Sequence, residues 1–323
     1  MSEDRANLNE TPRHVYNGAL AIDKPVGLTS HDVVQRLRGL LDQKKIGHTG
    51  SLDPLATGLL VICLGSASKI ARFITGQTKA YEAEIRLGKS TDTYDAEGLI
   101  DPLESDTIPG VSLEDIQGEL THFEGEIGQR APRFAAIKVD GQALYKSARA
   151  GIRRRPPIRS VVIHKIALIG YQAPFLRLTI ECGKGTYIRS LAHDLGERLG
   201  CGGYLSSLRR TRVGSFSLSD ALTLEEMEKL SSEDILTEAL VPMEQAIGLP
   251  SLVVSDSFVP RVRNGVAPGE RDIEHIHGEF AAGDCVSLID KSGRMLAFGI
   301  SEIPSTALET WSGPGFYRYQ RVI

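Results

Sequence analysis

The chain has 323 residues, 41% of them hydrophobic and 24% charged, with a net charge of −4. That suits a soluble globular protein with one large and one small domain, and the mild acidity by itself argues against a nucleic-acid partner. Cys63, Cys182, Cys201 and Cys285 show no Cys-x-x-Cys spacing, which excludes a structural zinc site and a disulfide framework and points to a reducing cytoplasm.

Residues 1–13 read as a flexible tail, because Met1 to Pro12 is polar and lacks the apolar core of a signal peptide. Gly18 to Asp23 reads as a strand ending at Lys24-Pro25. Ser30 can cap a helix in which Val33, Val34, Leu37, Leu40 and Leu41 recur at helical spacing. A Gly-rich loop then leads into Leu59 to Leu64, an apolar run short enough for a buried strand and too short for a membrane helix. A helix is expected around Ser68 to Thr75, and a strand from Ala80 to Leu87 with Tyr81, Ala83, Ile85 and Leu87 in phase. Thr91 to Asp95 is a polar loop. Further helices are expected at Leu113 to Phe123, Gln142 to Ala150 and Tyr187 to Leu199, with strands at Val161 to Tyr171 and Leu176 to Cys182. Without strict βαβ alternation, the order favours an α+β fold built on a mixed, largely antiparallel sheet. After Leu249-Pro250, short apolar segments alternate with turns such as Asn264-Gly265, so residues 250–323 read as a small β-rich domain.

Charge is unevenly distributed. From Asp92 to Gly128 there are eleven acids and no Lys or Arg, whereas Gln129 to Lys165 has ten Lys/Arg against Asp140 alone. The acidic block reads as a solvated face. In the basic block, Phe134, Ile137, Tyr145 and Pro156-Pro157 are interleaved with Arg130, Arg133, Lys138, Lys146 and Arg153-Arg154-Arg155. Cations for phosphates beside flat surfaces for bases suit RNA, so a basic RNA-gripping insert is expected at about residues 129–159.

The densest signal is Gly47-His48-Thr49-Gly50-Ser51-Leu52-Asp53-Pro54-Leu55-Ala56-Thr57-Gly58. It holds one carboxylate on a Gly/Pro-shaped loop leading into a core strand, where functional residues collect. An isolated Asp-Pro would be ordinary turn chemistry. This run resembles the active-site segment of the TruB family, pseudouridine synthases that modify the T loop of transfer RNA. Asp23-Lys24-Pro25-Val26-Gly27-Leu28-Thr29-Ser30, Lys79-Ala80-Tyr81-Glu82-Ala83 and Gly183-Lys184-Gly185-Thr186-Tyr187-Ile188-Arg189-Ser190 resemble three further family motifs in the same order. The resemblance covers about residues 15 to 250. Residues 14–249 are then the catalytic domain, and residues 250–323 resemble a PUA-like RNA-binding domain.

The resemblance implies isomerisation of uridine 55, with Asp53 as the catalytic carboxylate, either as nucleophile or as base. It implies that Arg189 pairs with Asp53, for which a guanidinium suits better than an ammonium. Spacing alone leaves a helix-face ion pair as an equal reading of Arg189. Tyr81 offers a ring to stack on the target base, which must leave the folded loop to react. By the same resemblance, His48 braces the vacated space; on its own it reads as a turn histidine bonding its backbone. Asp95 and Leu208 fall around the flipped nucleotide, and Lys24 supports the site or meets phosphate. Arg153, Arg154 and Arg155 are the expected RNA grip, with Arg209, Arg210 and Arg212 as the alternative.

The reaction changes no oxidation state, so no cofactor is expected. His275-Ile276-His277 is too little for a metal site. Gly183-Lys184-Gly185-Thr186 fails the Walker pattern, with Leu178 in place of its first Gly and Gly185 in place of Ser/Thr. Ala131, Ala135 and Ser51 depart from the residues frequent in the family. Transfer RNA is the expected partner, without DNA, a membrane or an obligatory protein. Three rivals share some features: a catalytic subunit guided by RNA, a non-catalytic RNA-binding or folding protein, and a glycoside hydrolase. The last would show paired carboxylates near Asp53.

Overall fold

The computed structural model describes residues 15–100, 110–139, 141–152, 154–233, 235–311, 313 and 315–323. The first half of the chain supplies β1 (Gly18–Lys24), β2 (Ile46–His48), β3 (Thr57–Leu64), β4 (Lys79–Leu87) and β5 (Gly125–Arg130). A short hairpin, β6 (Lys138–Val139) and β7 (Gln142–Ala143), precedes β8 (Ile158–Gln172), β9 (Phe175–Cys182), β10 (Gly203–Val213) and β11 (Phe216–Ser217). The main sheet runs β1-β3-β10-β4-β9-β8-β5, with β2 on β3 and β11 on β10. Of its ladders only β3 with β10 is parallel, so the α+β, largely antiparallel expectation holds.

The uninterrupted apolar run of β3 has a simple cause. Leu60, Ile62 and Leu64 enter one core cluster while Leu59, Val61 and Cys63 enter another on the opposite face. A strand covered on both faces needs no polar alternation. Each such side chain contributes about 1.5–3 kcal/mol by burial. In β4 only one face is covered, and the pattern alternates accordingly, with Tyr81, Ala83, Ile85 and Leu87 inward.

Seven helices frame the site and its neighbours: α1 (Ser30–Leu40), α2 (Ala71–Gly76), α3 (Leu113–Leu120), α4 (Leu144–Arg149), α5 (Ile188–Arg198), α6 (Leu224–Ser232) and α7 (Met243–Ile247). Thr29, not Ser30, caps α1, in a reciprocal box with Asp32. Ser30 is freed for another task, described below. The expected helix at Gln142 to Ala150 is shorter, because Gln142 and Ala143 turn back to pair with β6. In α5, Ile188, Leu191, Ala192 and Leu195 are buried, which fixes which face it shows the cleft.

A second sheet starts at Ser251 and runs β13-β12-β14-β15-β16: β12 (Ser251–Val254), β13 (Ile273–His277), β14 (Cys285–Ile289), β15 (Met295–Ser301) and β16 (Tyr317–Val322). It has its own core around Leu252, Phe258, Leu288 and Phe316. Met295 and Phe298 instead join the cluster behind β1 and β3, where the Phe298 ring meets Phe73 edge-on at 4.9 Å. No helix among the described residues is long and apolar enough to cross a membrane.

Candidate active site

The Asp53 loop is tied down on every side. Ser30 Oγ accepts from the Leu52 amide at 2.7 Å and donates to the Leu52 carbonyl at 3.1 Å. The Thr49 amide donates to Val61 O, and the Gly27 amide to Pro54 O. Arg210, 2% exposed, reaches across from β10 and donates to Leu59 O at 2.7 Å and Gly50 O at 3.1 Å. Gly58 permits that approach: its φ is +93°, and a Cβ there would fall 2.4 Å from Arg210 O.

Asp53 and Arg189 meet. Arg189, one residue into α5, places Nε 3.0 Å from Asp53 Oδ2. Its Nη1 lies 3.2 Å from Asp95 Oδ2, and the same nitrogen donates to Thr93 O at 3.2 Å. Its Nη2 donates to Phe134 O at 3.4 Å. The arginine thus has a partner at each of its three nitrogens and is 7% exposed, while 47% of the Asp53 side chain remains open to the cleft. Burial pushes the Asp53 carboxyl above its usual range; the Arg189 guanidinium opposes this, and the Asp95 charge adds to it.

The cleft above Asp53 holds about 380 Å³ and is lined by Tyr81, Leu208, Tyr187 and Arg210, among others, a volume suited to one small ligand or base. Tyr81 and Arg210 are cross-strand partners. Burial raises the Tyr81 hydroxyl's pKa, with the Arg210 guanidinium pulling the other way. A roomier cleft of about 480 Å³ lies at the seam between the sheets, but neither an aromatic ring nor an aspartate lines it.

Other expected residues fall in different places. His48 ends β2, and its Nδ1 accepts from the Gly50 amide at 3.4 Å, the bond of a turn histidine. Burial and the neighbouring Arg210 and His31 depress its pKa. Lys24 is wholly buried, and its Nζ donates to Pro25 O at 2.8 Å and Leu28 O at 2.5 Å. These bonds tie it to the turn that leads into α1. Burial lowers its pKa to about 8. Asp95 is also buried and stands behind Arg189, so it faces the arginine and does not line the cleft. Leu208 does line the cleft.

In the basic insert, Arg153 lies outside the described residues, Arg154 donates to Val139 O at 3.2 Å, and Arg155 is exposed. The root of the insert reaches the cleft. Phe134 O binds Arg189, and Ala135, Ala136 and Ile137 line the cleft. The alternative grip is largely committed elsewhere: Arg209 pairs with Asp23, Arg212 with Glu181, and Arg210 is buried. Sequence reading named Arg210 only as part of the alternative RNA grip and missed that it lines the cleft. Strand periodicity could have found it, since Arg210 shares a face with Leu208 two positions earlier.

Two family models match in tandem. Residues 38–188 match the N-terminal domain of TruB family pseudouridylate synthases, and residues 189–248 the C-terminal domain of tRNA pseudouridylate synthase B. A curated tRNA pseudouridine synthase B of Xanthomonas euvesicatoria is 43% identical over 91% of this chain and 99% of its own length. The chain belongs to the TruB family. The same-named protein of Bacillus licheniformis is 41% identical over 88% of this chain and 92% of its own length. Among solved structures, a chain of a Cbf5-Nop10-Gar1 complex superposes with a TM-score of 0.74 at 26% identity, covering 99% of this chain and 92% of that one. Within the family match, the boundary between the two models falls between Ile188 and Arg189, so Asp53 and its partner come from different halves.

Proposed function

We propose that this protein isomerises uridine to pseudouridine at position 55 in the T loop of transfer RNA, with Asp53 as the catalytic carboxylate. The observation that carries the reading is the Asp53–Arg189 pair, fixed at 3.0 Å on the floor of a cleft that also holds Tyr81. The C1′–N1 bond breaks, C1′ bonds to C5 of the same base, and the C5 hydrogen leaves as N1 gains one. Electrons balance within the substrate, so the reading asks for no redox cofactor.

The uracil enters the cleft after leaving the T-loop stack. Tyr81 supplies a flat face for it and Leu208 the apolar wall. Asp53, kept anionic and aimed by Arg189, either attacks the nucleoside or removes a sugar proton. Lys24 and Asp95 hold this arrangement from behind, and His48 sits at its edge to brace the vacated stack. Arg153, Arg154 and Arg155 grip the RNA backbone. Residues 14–249 act as the catalytic domain and residues 250–323 as a PUA-like RNA-binding unit; the tail expected at residues 1–13 lies outside the described residues. The enzyme works in the cytoplasm, where transfer RNA is made, without an obligatory protein partner.

Likeness to a chain solved within a Cbf5-Nop10-Gar1 complex keeps a reading that needs partners in view, but the 43% identity to a curated tRNA pseudouridine synthase B exceeds the 26% to that chain. The test is to incubate the purified chain alone with unmodified transfer RNA tritiated at uridine C5. Release of tritium to water supports the proposal. Release only after a guide RNA and proteins are added supports the rival, and free uracil would mean hydrolysis.

A further inference from the structure

Helix α5 carries Arg189 and His193 four residues apart, hence on one face. Both reach the loop that follows β4. Arg189 Nη1 takes Thr93 O and Asp95 Oδ2, the residues on either side of Tyr94. His193 takes Tyr94 itself: the rings are stacked, with centroids 3.8 Å apart and planes 6° from parallel.

Tyr94 has φ +66°, a left-handed conformation that among described non-glycine residues only Asp42 shares. A non-glycine residue in this region is strained, and strain of this kind persists where surrounding contacts impose it. Here the turn has a geometrical result. It brings the carbonyl before Tyr94 and the carboxylate after it onto one guanidinium nitrogen. Backbone bonds from Leu205 N to Tyr94 O and from Ala96 N to Leu205 O anchor the loop to β10, and the stack anchors the ring to α5. The imidazole presents its face to the Tyr94 ring, and its Nδ1 is buried without a hydrogen-bond partner among the described residues.

We propose that the Tyr94–His193 stack is a positioning clamp for the reaction. It holds the left-handed turn, the turn keeps Thr93 and Asp95 on Arg189, and Arg189 keeps Asp53 aimed into the cleft. The inference deepens the proposed isomerase reading and rests on it.

The test uses the full chain with three substitutions: His193→Ala, His193→Phe and Tyr94→Gly. Phenylalanine restores a flat ring without the imidazole nitrogens, and glycine removes both the ring and the strain, so Tyr94→Gly should fold even if His193→Ala does not. Single-turnover tritium release from a C5-labelled T-stem-loop RNA gives the rate. Nitrogen-15 NMR of the Arg189 Nε–H, assigned by its loss in Arg189→Lys, reports the ion pair without any need for activity.

His193→Ala and Tyr94→Gly should each lower the rate at saturating enzyme roughly 10- to 100-fold, the scale expected for ångström-sized misplacement. RNA affinity should stay unchanged, while the Arg189 Nε–H shifts and exchanges faster with water. His193→Phe should recover both readouts. The clamp is overturned if His193→Ala and Tyr94→Gly keep the parental rate and signal, or if His193→Phe behaves as His193→Ala does. It is equally overturned if the rate loss only follows a lower melting temperature. An inactive parent with the same NMR responses would sink the isomerase reading and leave the clamp on Asp53 standing.

Discussion

Asp95 fixes Asp53 without touching it: both carboxylates bind Arg189, one at Nη1 and one at Nε, at 3.2 and 3.0 Å. The inner carboxylate is buried, and Thr93 Oγ1 and the Glu97 amide also donate to it. The outer one is left half-open to the cleft. One guanidinium thereby passes the fixed position of the buried carboxylate on to the open one. A charge of this kind, aimed before the substrate arrives, needs no reorganisation during reaction.

Asp53→Asn retains the shape and removes the charge. Tritium release should fall at least about a thousandfold, within the range expected for loss of an essential acid–base or nucleophilic group, while binding of the T-stem-loop changes little. A gel-shift titration beside the release assay checks both. Activity within tenfold of the parent would assign the chemistry to another group.

Acid should inactivate the enzyme at higher pH once Arg189 is gone. Burial already raises the Asp53 pKa, and Arg189 is the first influence holding it down. A carboxyl with a raised pKa becomes protonated earlier as pH falls, so the acidic limb of the rate profile follows it. In Arg189→Gln that limb should move upward in pH, alongside a lower plateau. A lower plateau with an unmoved limb would mean the arginine does not set the protonation of Asp53.

Alkali should first stabilise the fold. Burial lowers Lys24 and Lys79 from 10.5 to about 8. Between those values the unfolded chain binds more protons than the folded one, so stability rises with pH there. Each lysine contributes up to about 3 kcal/mol at the top of that window. The opposing groups are Cys63 and Cys182, whose thiols burial pushes from 9.0 up to about 12 and about 11, and Tyr81, Tyr317 and Tyr319, whose hydroxyl pKa values burial raises. The stabilising share of the thiols is present below their ordinary value of 9.0 and is lost above it, and that of the tyrosines is lost above the ordinary tyrosine value. Urea midpoints should therefore climb from about pH 8 to about 9, level off there and fall above about 10. Lys24→Met should flatten part of the climb, and an unchanged climb would show that Lys24 stays charged in the fold.

The sequence motifs brought Asp53, Tyr81, Leu208 and Arg189 to one cleft, because each lies in a run whose order and local geometry are distinctive. Strand β4 was legible because it alternates, and β3 because it does not. What stayed hidden was depth. Nothing in Asp23-Lys24-Pro25 tells that the ammonium turns inward to two carbonyls, and nothing in Thr93-Tyr94-Asp95 tells which side of the loop faces α5. Both are decided by contacts far apart in the chain. The cationic run at residues 129–159 was read by charge and by the flat side chains interleaved with it, and neither reveals that Phe134 offers its backbone carbonyl to Arg189.

Arg155 is exposed, whereas Arg154 already donates to Val139 O from a half-buried position. If the segment clamps RNA, these arginines differ in what they do. An exposed cation over a phosphate releases counterions, and each true contact adds about 0.7 to 0.9 to the negative slope of log affinity against log salt. Arg155→Ala should lower affinity at low salt and flatten that slope by about one contact. Arg154→Ala should also disturb the hairpin β6–β7, since it removes a donor to Val139 O, and its effect should include a loss that salt does not change. The triple replacement of Arg153, Arg154 and Arg155 should combine both effects. Single-turnover isomerisation at saturating enzyme should change far less, because Asp53, Tyr81 and Arg189 stay in place. Binding isotherms for T-stem-loop RNA across a salt series measure each slope. A solvated basic face with no RNA against it would give the parental affinity and slope in all three variants, and the clamp would then have to lie on other cations of the chain.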